Sequence, residues 1–417
     1  MSRLRLRRPS PILSIFLIVL VDILGLTLIL PLLPFYAERL GATPSIASLL
    51  VSIYAFCQLV AGPALGQLSD RIGRKPVLIL SQAGTLAGFI LLAFSTRLWM
   101  VMLSRAIDGL TAGNITVAQA YISDVTDPKN RTRAFGLIGA AFGLGFLIGP
   151  AISGFLAQYD FHYPMFGAAL LSALSILSSF VLLPRASRDE HPQTAAARQP
   201  IRLRLPNLVE RWNSYVAAFR EPALSGYLWK FFAFSMSFGT FIGGLALFAE
   251  RRYVWKGLPL GPQQIGYVFA ISGLVGVVIQ GGLIGRLSHR LGEKKLVDVG
   301  FASMIIGNSI LGLSRGNVTG LIVGVLFQAF GGAVIRPALT RLITDSTGSR
   351  GKGFVVGLMQ SLMSVAQILA PMLGGWLIQQ GLLSLWAFWV SALAVIGIML
   401  KPDAKNSPTA VFWQYFQ

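Results

Sequence analysis

The chain has 417 residues, 54% of them hydrophobic and only 12% charged, with a formal net charge of +19. A soluble domain carries about 25% charged residues, so roughly half the expected charge is missing, and no soluble core needs this much apolar sequence. One cysteine (Cys57) excludes a disulfide framework, and three histidines far apart in the chain (His162, His191, His289) exclude a metal site built on His/Cys clusters.

Charges, prolines and glycines cut the chain into twelve apolar segments, each able to cross about 30 Å of hydrocarbon at 1.5 Å per residue. They are 11–36, 45–67, 77–95, 98–122, 133–157 and 163–184, then 223–249, 262–285, 296–314, 317–340, 353–379 and 382–400. The expected fold is an all-α integral membrane protein of twelve transmembrane helices in two pseudo-symmetric six-helix bundles. Residues 1–184 form the first bundle, 185–222 a linker, 223–401 the second bundle and 402–417 a tail. The linker is the only long polar stretch; it is basic and contains Pro192, and a surface helix is expected near Leu208–Phe219.

Lys and Arg give the direction. With the N-terminus inside, 27 of the 35 fall on the inner side, including Arg3–Arg8, Arg71, Arg74, Lys75, Arg336 and Arg341, against six on the outer side. That bias places both termini in the cytoplasm and makes the basic balance a topology device, not a nucleic-acid surface. The Arg run precedes a span with no small-residue cleavage site, so it reads as a retained first helix.

The halves echo each other. GQLSDRIG at 66–73 aligns with GRLSHRLG at 285–292, and Gly149-Pro150 in the fifth span corresponds to Ala370-Pro371 in the eleventh. Duplicated six-helix units are the architecture of secondary transporters, whose cargo site lies near the midplane between the halves. The segment GQLSDRIGRKPVL at 66–78 resembles the signature loop of the major facilitator superfamily. The spacing Gly136, Gly145, Gly149-Pro150, Ser153-Gly154 resembles the fifth-helix pattern of its drug/proton antiporters, with Ser153 in place of a Gly. Asp22 to Gly25 with Pro31, and Arg105 with Asp108-Gly109, look like that group's first- and fourth-helix motifs. LPLLP at 30–34, SDRIGRKP at 69–76 and YISDVTD at 121–127 give the nearest likeness within the group, to tetracycline/proton antiporters. The resemblance implies the twelve-helix fold and drug export in exchange for protons.

Several residues stand out for chemistry. Asp22 lies near the middle of the first span, where a charge costs about 2.5–3.5 kcal/mol on insertion scales. It is a candidate proton carrier, or else a helix-packing group or an acid held ionised by Arg. Arg105 and Asp108, three apart, share a helix face; they pair with each other, or form one midplane proton-coupling cluster with Asp22. Tyr54, Gln58, Asn114, Gln119, Lys230, Gln280, Gln328 and Gln360 are candidates for the cargo cavity, because polar groups avoid lipid, and Phe234 is a candidate wall for a flat apolar ligand, or else a lipid-facing aromatic. Helix–helix bonding accounts for some of them, and Lys230 has the alternative of snorkelling to the interface.

The 66–75 loop reads as a conformational latch, with topology anchoring as the plainer alternative. Gly66 and Gly73 permit close approach and a sharp turn; Arg71 and Lys75 add charge. By the resemblance, Asp70 accepts from the start of the eleventh helix near Phe354, and Arg74 pairs with Asp124. Because His289 and Glu293 replace Asp70 and Arg74 in the second half, a one-sided latch is expected. The Gly136, Gly145, Gly149, Pro150, Gly154 run reads as helix packing, and by the resemblance marks antiporters.

The function read from all this is a secondary active exporter of amphipathic, drug-like and tetracycline-like molecules in exchange for protons, by alternating access. A metabolite, sugar or lipid uniporter or symporter is the alternative within the fold. A polytopic enzyme lacks a nucleophile–base or metal constellation, and a channel would conduct without saturation. No GxxxxGK[ST] pattern occurs, so no cofactor is expected and the proton gradient is the energy source. Expected partners are a small-molecule substrate, protons and membrane lipid, with no nucleic acid. The protein is expected as a monomer in the cell membrane, specifically a bacterial inner membrane.

Overall fold

In hydrocarbon a backbone has no water to bond, so its polar groups must satisfy one another, and helices fill nearly the whole structure. The structure is a computed structural model and describes residues 11–126, 131–183, 215–346 and 352–400. The first half contains α1 (Pro11–Ile29), α2 (Leu33–Arg39), α3 (Pro44–Ile72), α4 (Arg74–Ala93), α5 (Leu98–Leu110), α6 (Asn114–Val125), α7 (Arg131–Leu156) and α8 (His162–Leu182). The second contains α9 (Pro222–Arg252), a hairpin of β1 (Val254–Trp255) and β2 (Leu258–Pro259), and α10 (Pro262–Val278). A π-helical turn (Ile279–Leu283) leads into α11 (Ile284–Leu291), followed by α12 (Glu293–Leu313), α13 (Val318–Asp345), α14 (Lys352–Gln379) and α15 (Leu383–Met399).

The fold is the all-α membrane architecture expected, with differences in the spans. Among the described residues ten helical stretches are long and apolar enough to cross a membrane, α1 and α2 counting together as Leu13–Arg39. The expected fourth span is broken into α5 and α6, and the twelfth is the 17-residue α15. The break is accompanied by local hydrogen bonds. Thr111 turns its hydroxyl back onto the carbonyls of Ile107 (2.9 Å) and Asp108 (3.2 Å), and a side chain bonded in this way competes with the helical ladder. The amide of Gly113 then bonds the Thr111 carbonyl at 2.7 Å, closing a tight turn.

Two further expectations change. Most of the linker (184–214) lies outside the described residues, as do the N-terminal Arg run and the tail. Residues 215–220 are helical but not a free surface helix: Ala218 is buried, the Tyr215 ring lies 5.9 Å from that of Phe354, and Phe219 lies 5.1 Å from Trp229. Arg336, assigned to the inner basic residues, lies inside α13, nine residues from its end.

The two halves meet along two seams, α7 against α10 and α3 against α14. In the first, a Cβ on Gly266 would strike the carbonyl of Pro150, and one on Gly273 would strike the backbone of Phe146. A Cβ on Gly154 would come within 3.0 Å of the Gln263 backbone. Without side chains at these points the helix backbones touch, and dispersion between closely apposed backbones holds helices together where lipid offers no hydrophobic drive. In the second seam Gly375 sits against Ser48, and the Ser52 hydroxyl donates to the Ile368 carbonyl at 2.7 Å. Farther along, Gly139, Gly281 and Gly282, and likewise Gly62, Gly66 and Gly357, have nothing within 4 Å of where a Cβ would stand. Both seams therefore close at the end opposite the 66–75 loop and part toward it.

The apolar cores report the same asymmetry. One buried cluster joins both halves at the closed end, with Phe35, Leu50 and Phe89 from the first and Phe248, Phe269 and Trp386 from the second. Toward the 66–75 loop each half keeps its own, around Ile18 and Ile122 in one and Phe301 and Leu339 in the other. The result is a cleft open at the basic end.

The closed rim carries the one ion pair between the halves among the described residues, Arg251 to Glu38 at 2.6 Å, with Glu250 at 3.1 Å from the same guanidinium. Nearby, Asp160 accepts from the His162 amide (2.7 Å) and ring (2.6 Å), which holds its carboxyl below the usual carboxylate range. Tyr36 bridges that ring to the Ser95 carbonyl. We predict that Gly266→Val, whose side chain cannot fit against Pro150, prevents closure at this rim. Cysteines placed across the rim should then cross-link at least tenfold more slowly than in the wild type, while the protein still inserts. Glu38→Gln should act in the same direction but weakly, since a part-exposed ion pair contributes about 0.5–1 kcal/mol, a shift of two- to fivefold.

Candidate functional site

Three charged side chains at membrane depth gather in the first half. Arg105 and Asp108 on α5 are each 3% exposed and lie 3.3 Å apart across one helical turn. The Arg105 guanidinium sits 5.7 Å from the centre of the Phe89 ring on α4, and its Nε and Nη2 have no partner. Asp108 packs against Thr85 and Gly88 of α4. Asp22 on α1 lies against Gln82 of α4, Ser175 of α8 and Asn114, the first residue of α6 after the helix break. Tyr54 of α3 is within electrostatic reach of Asp108, Arg105 and Asp22. The three ionisable residues named in the sequence therefore do form one cluster, with Tyr54 at its edge.

The neighbours of Asp22 also bond one another. Gln82 donates to Ser175 at 2.7 Å, Ser179 donates to Gln82 at 2.9 Å, and Ser175 to the Ile18 carbonyl at 3.4 Å. Both Asp22 oxygens and the Asn114 Oδ1 are shielded and unpaired. Ser175, Gln82 and Asn114 offset only part of the cost of a carboxylate in a dry setting, and one proton on Asp22 removes the charge. Gln82, Thr85, Ser175 and Ser179 were missed in the sequence. The signal was the spacing of Ser172, Ser175 and Ser179 along one face of α8, in a span otherwise apolar.

The remaining cavity candidates divide. Gln58 donates to the Tyr54 hydroxyl at 3.3 Å, and Gln119 is half-buried on α6. Gln280 sits in the π-turn, exposed, 3.5 Å from the Ala333 carbonyl, and Gln360 is exposed on α14. Three others do not line a cavity. Gln328 is fully buried and accepts from Asn308 at 2.7 Å, tying α13 to α12. Phe234 is 4% exposed, stacked on Phe238 in the second-half core. Lys230, 5% exposed, neither snorkels nor faces the cleft: it bonds Asp298 of α12 at 3.0 Å. That acid, inside the expected ninth span, was the overlooked partner.

At the basic end Gly73, with φ +98°, makes the turn from α3 to α4, whereas Gly66 faces open space inside α3 and no close approach requires it. Arg74 bonds Asp124 at 2.8 Å, Ser69 at 2.7 Å and Asp70 at 2.5 Å. Asp70, 62% exposed, is thus held by the first residue of the next helix in this conformation. Arg71 is exposed, and Lys75 donates to the Phe180 and Leu183 carbonyls at 2.9 and 2.6 Å, capping the end of α8. The second half rebuilds the brace with signs exchanged: Glu293, after the left-handed Gly292, pairs with Arg341 and accepts from Ser288 at 2.8 Å. The expected one-sidedness therefore holds only for the Asp70 position, occupied by His289. The fifth-helix run packs two ways, Gly145 and Gly149 onto Ile23 and Thr27 of α1, and Gly154 with Pro150 onto α10. Gly136 lies at the start of the same helix.

A cleft between two six-helix halves, sealed at one end, with buried charge in one wall, is a carrier's geometry. The family model of the Major Facilitator Superfamily matches residues 15–296 and 253–409. The chain belongs to that superfamily. It is 31% identical over 405 residues to the class B tetracycline resistance protein of Escherichia coli, covering 94% of this chain and 96% of that one. It is 30% identical over 397 residues to the class H tetracycline resistance protein of Pasteurella multocida, 93% of each. Among solved structures it resembles the human organic anion transporter MFSD10, with a TM-score of 0.68 and 24% identity over 94% of this chain and 99% of that one. As a superfamily member the protein is a multi-pass membrane transporter and not an enzyme.

In this superfamily member Arg105 and Asp108 depend on each other, because removing one partner of a buried pair leaves a bare charge and costs about 3–5 kcal/mol. Arg105→Ala should lower the thermal unfolding temperature of the detergent-solubilised protein clearly, and Arg105→Ala with Asp108→Asn should recover most of the loss. Additive losses in the double variant would show that the two do not interact.

Proposed function

We propose that the protein exports amphipathic, tetracycline-like small molecules from the cytoplasm in exchange for protons by alternating access. The observation that carries this reading is the Asp22, Arg105, Asp108 cluster: two acids and one base, held at membrane depth in the wall of a cleft that opens on the basic side. Two acids sharing one fixed cation leave one negative charge in excess, which a proton neutralises at little cost. Proton binding and cargo binding then compete through the same buried charge. The names of the class B and class H relatives supply the cargo type.

By the charge bias the open end faces the cytoplasm, as do both termini, so the cleft is in its loading state. Closing the basic end would bring Asp70 from Arg74 to the amino end of α14, where the helix dipole favours an anion. The brace of Arg74 with Asp124, and its counterpart Glu293 with Arg341, hold each half rigid through that swing. The energy comes from the proton gradient without a cofactor, and the protein works as a monomer in a bacterial inner membrane.

The test is flux in proteoliposomes across cationic, neutral and zwitterionic cargoes, with and without a pH gradient. Gradient-driven accumulation should vanish in Asp22→Asn, with thermal unfolding near wild type, and also in Asp108→Asn, where the bare Arg105 charge lowers the unfolding temperature as well. Unchanged accumulation in both variants would sink the proton-coupling role, and gradient-independent exchange in the wild type would mark a uniporter.

A further inference from the structure

Arg336 has no role in anything described so far. It lies about 7 Å from the midpoint of α13, too deep for a loop charge. Its guanidinium stands 5.9 Å from the centre of the Phe142 ring on α7. Because Phe142 belongs to the other half, the side chain points across the cleft and not outward to lipid. It is accessible to solvent yet crowded by protein, as a group on the wall of a deep cleft must be. Among the described residues no carboxylate pairs with it: Glu293 holds Arg341, Asp298 holds Lys230, and Asp345 lies near Arg341.

A cation left without a counter-ion at this depth is expensive. Retaining one is consistent with a partner that arrives from outside the chain. The surroundings define that partner further. Gln280, exposed in the π-helical turn, lies beside the same helix at Ala333, one turn before Arg336; π-turns are frequent at functional sites. Gln280 offers an amide, Arg336 a fork of donors matched to a carboxylate, and Phe142 a flat apolar face. The first-half acids, Asp22 and Asp108, lie in the opposite wall.

We propose that Arg336 is the cargo-recognition residue of the second half, binding an acidic group (a carboxylate or an ionised enol) on an aromatic or otherwise flat amphipathic cargo, with Phe142 and Gln280 completing the subsite. This rests on the exporter reading and narrows its substrates to anionic or zwitterionic molecules. It also divides labour between the halves, protons on the first and cargo charge on the second.

Binding measured in detergent without any gradient tests this apart from proton coupling. The probes are three fluorescent derivatives of one planar aromatic scaffold, bearing a carboxylate, a carboxamide or an amine. The wild type should bind the carboxylate about ten- to hundredfold more tightly than the carboxamide, the range for a charge-assisted hydrogen bond. Arg336→Gln should erase that preference while leaving carboxamide binding unchanged, and Arg336→Lys should retain part of it. Phe142→Leu, which leaves every charge in place, should weaken all three probes alike. No preference in the wild type, or equal loss of carboxylate and carboxamide binding in Arg336→Gln with Arg336→Lys equally impaired, would overturn the assignment. Loss of gradient-driven flux alone in Asp22→Asn bears on the exporter reading and leaves this binding pattern standing.

Discussion

Backbone contact between α7 and α10, and between α3 and α14, is the constraint on which the rest of the molecule depends. Lipid tails are as apolar as leucine, so two bundles of apolar helices gain little by merely touching. They gain where glycines and serines remove the side chains and the backbones meet, as at Gly154, Gly266 and Gly273 and at Ser48, Ser52 and Gly375. These residues occupy the rim end of each seam. Beyond them the helices diverge, and the same apolar sequence that fuses one end leaves a cleft at the other. A contact surface graded along two helix pairs lets two rigid halves rock without unfolding either.

Rigidity within each half is built from polar pairs that join one helix to another. Asn308 with Gln328, Lys230 with Asp298, and Arg74 with Asp124 each join two helices of one half. Their removal from the cleft has a functional consequence. The charges left at the cleft or in its wall are few, namely the Asp22, Arg105, Asp108 group on one side and Arg336 on the other. In the proposed exchange, proton and cargo would be coupled through this small number of groups, each of which counts for more in a low-dielectric setting than in water. The break between α5 and α6 belongs to this economy. It places the Asn114 amide beside Asp22, so the residue that opens α6 becomes part of the buried acid's surroundings.

The duplicated loops show how sequence similarity and structural equivalence separate. GQLSDRIG and GRLSHRLG end in the same left-handed glycine turn, at Gly73 and Gly292. Each is followed by a charged residue braced to the far helix of its half, but the acid and the base have changed places. Pairing alone is indifferent to that exchange, since what the brace needs is opposite signs. What differs is the preceding position, Asp70 in one half and His289 in the other, and only the first brings a carboxylate to the positive end of a helix.

Much of the architecture was legible in the amino-acid sequence because bilayer thickness converts composition directly into span length. The division into halves, the basic bias and the turn at Gly73 all follow from local pattern or repeat, and the Arg74–Asp124 pairing came from the family resemblance. The nearness of Asp22, Arg105 and Asp108 also followed, since the residues were few and at similar depth. The facing of the helices did not. A span that is apolar all round, against lipid and against its neighbours, carries no stripe to say which side is inward. Gln328, Lys230 and Phe234 therefore read as cavity residues until packing placed them elsewhere, Asp298 went unnoticed, and Arg336 passed for a loop charge. Composition set how many times the chain crosses and which end is basic; only tertiary packing decided which polar groups pair in the dark and which face the cleft, because that choice depends on the rotation of each helix against its neighbours.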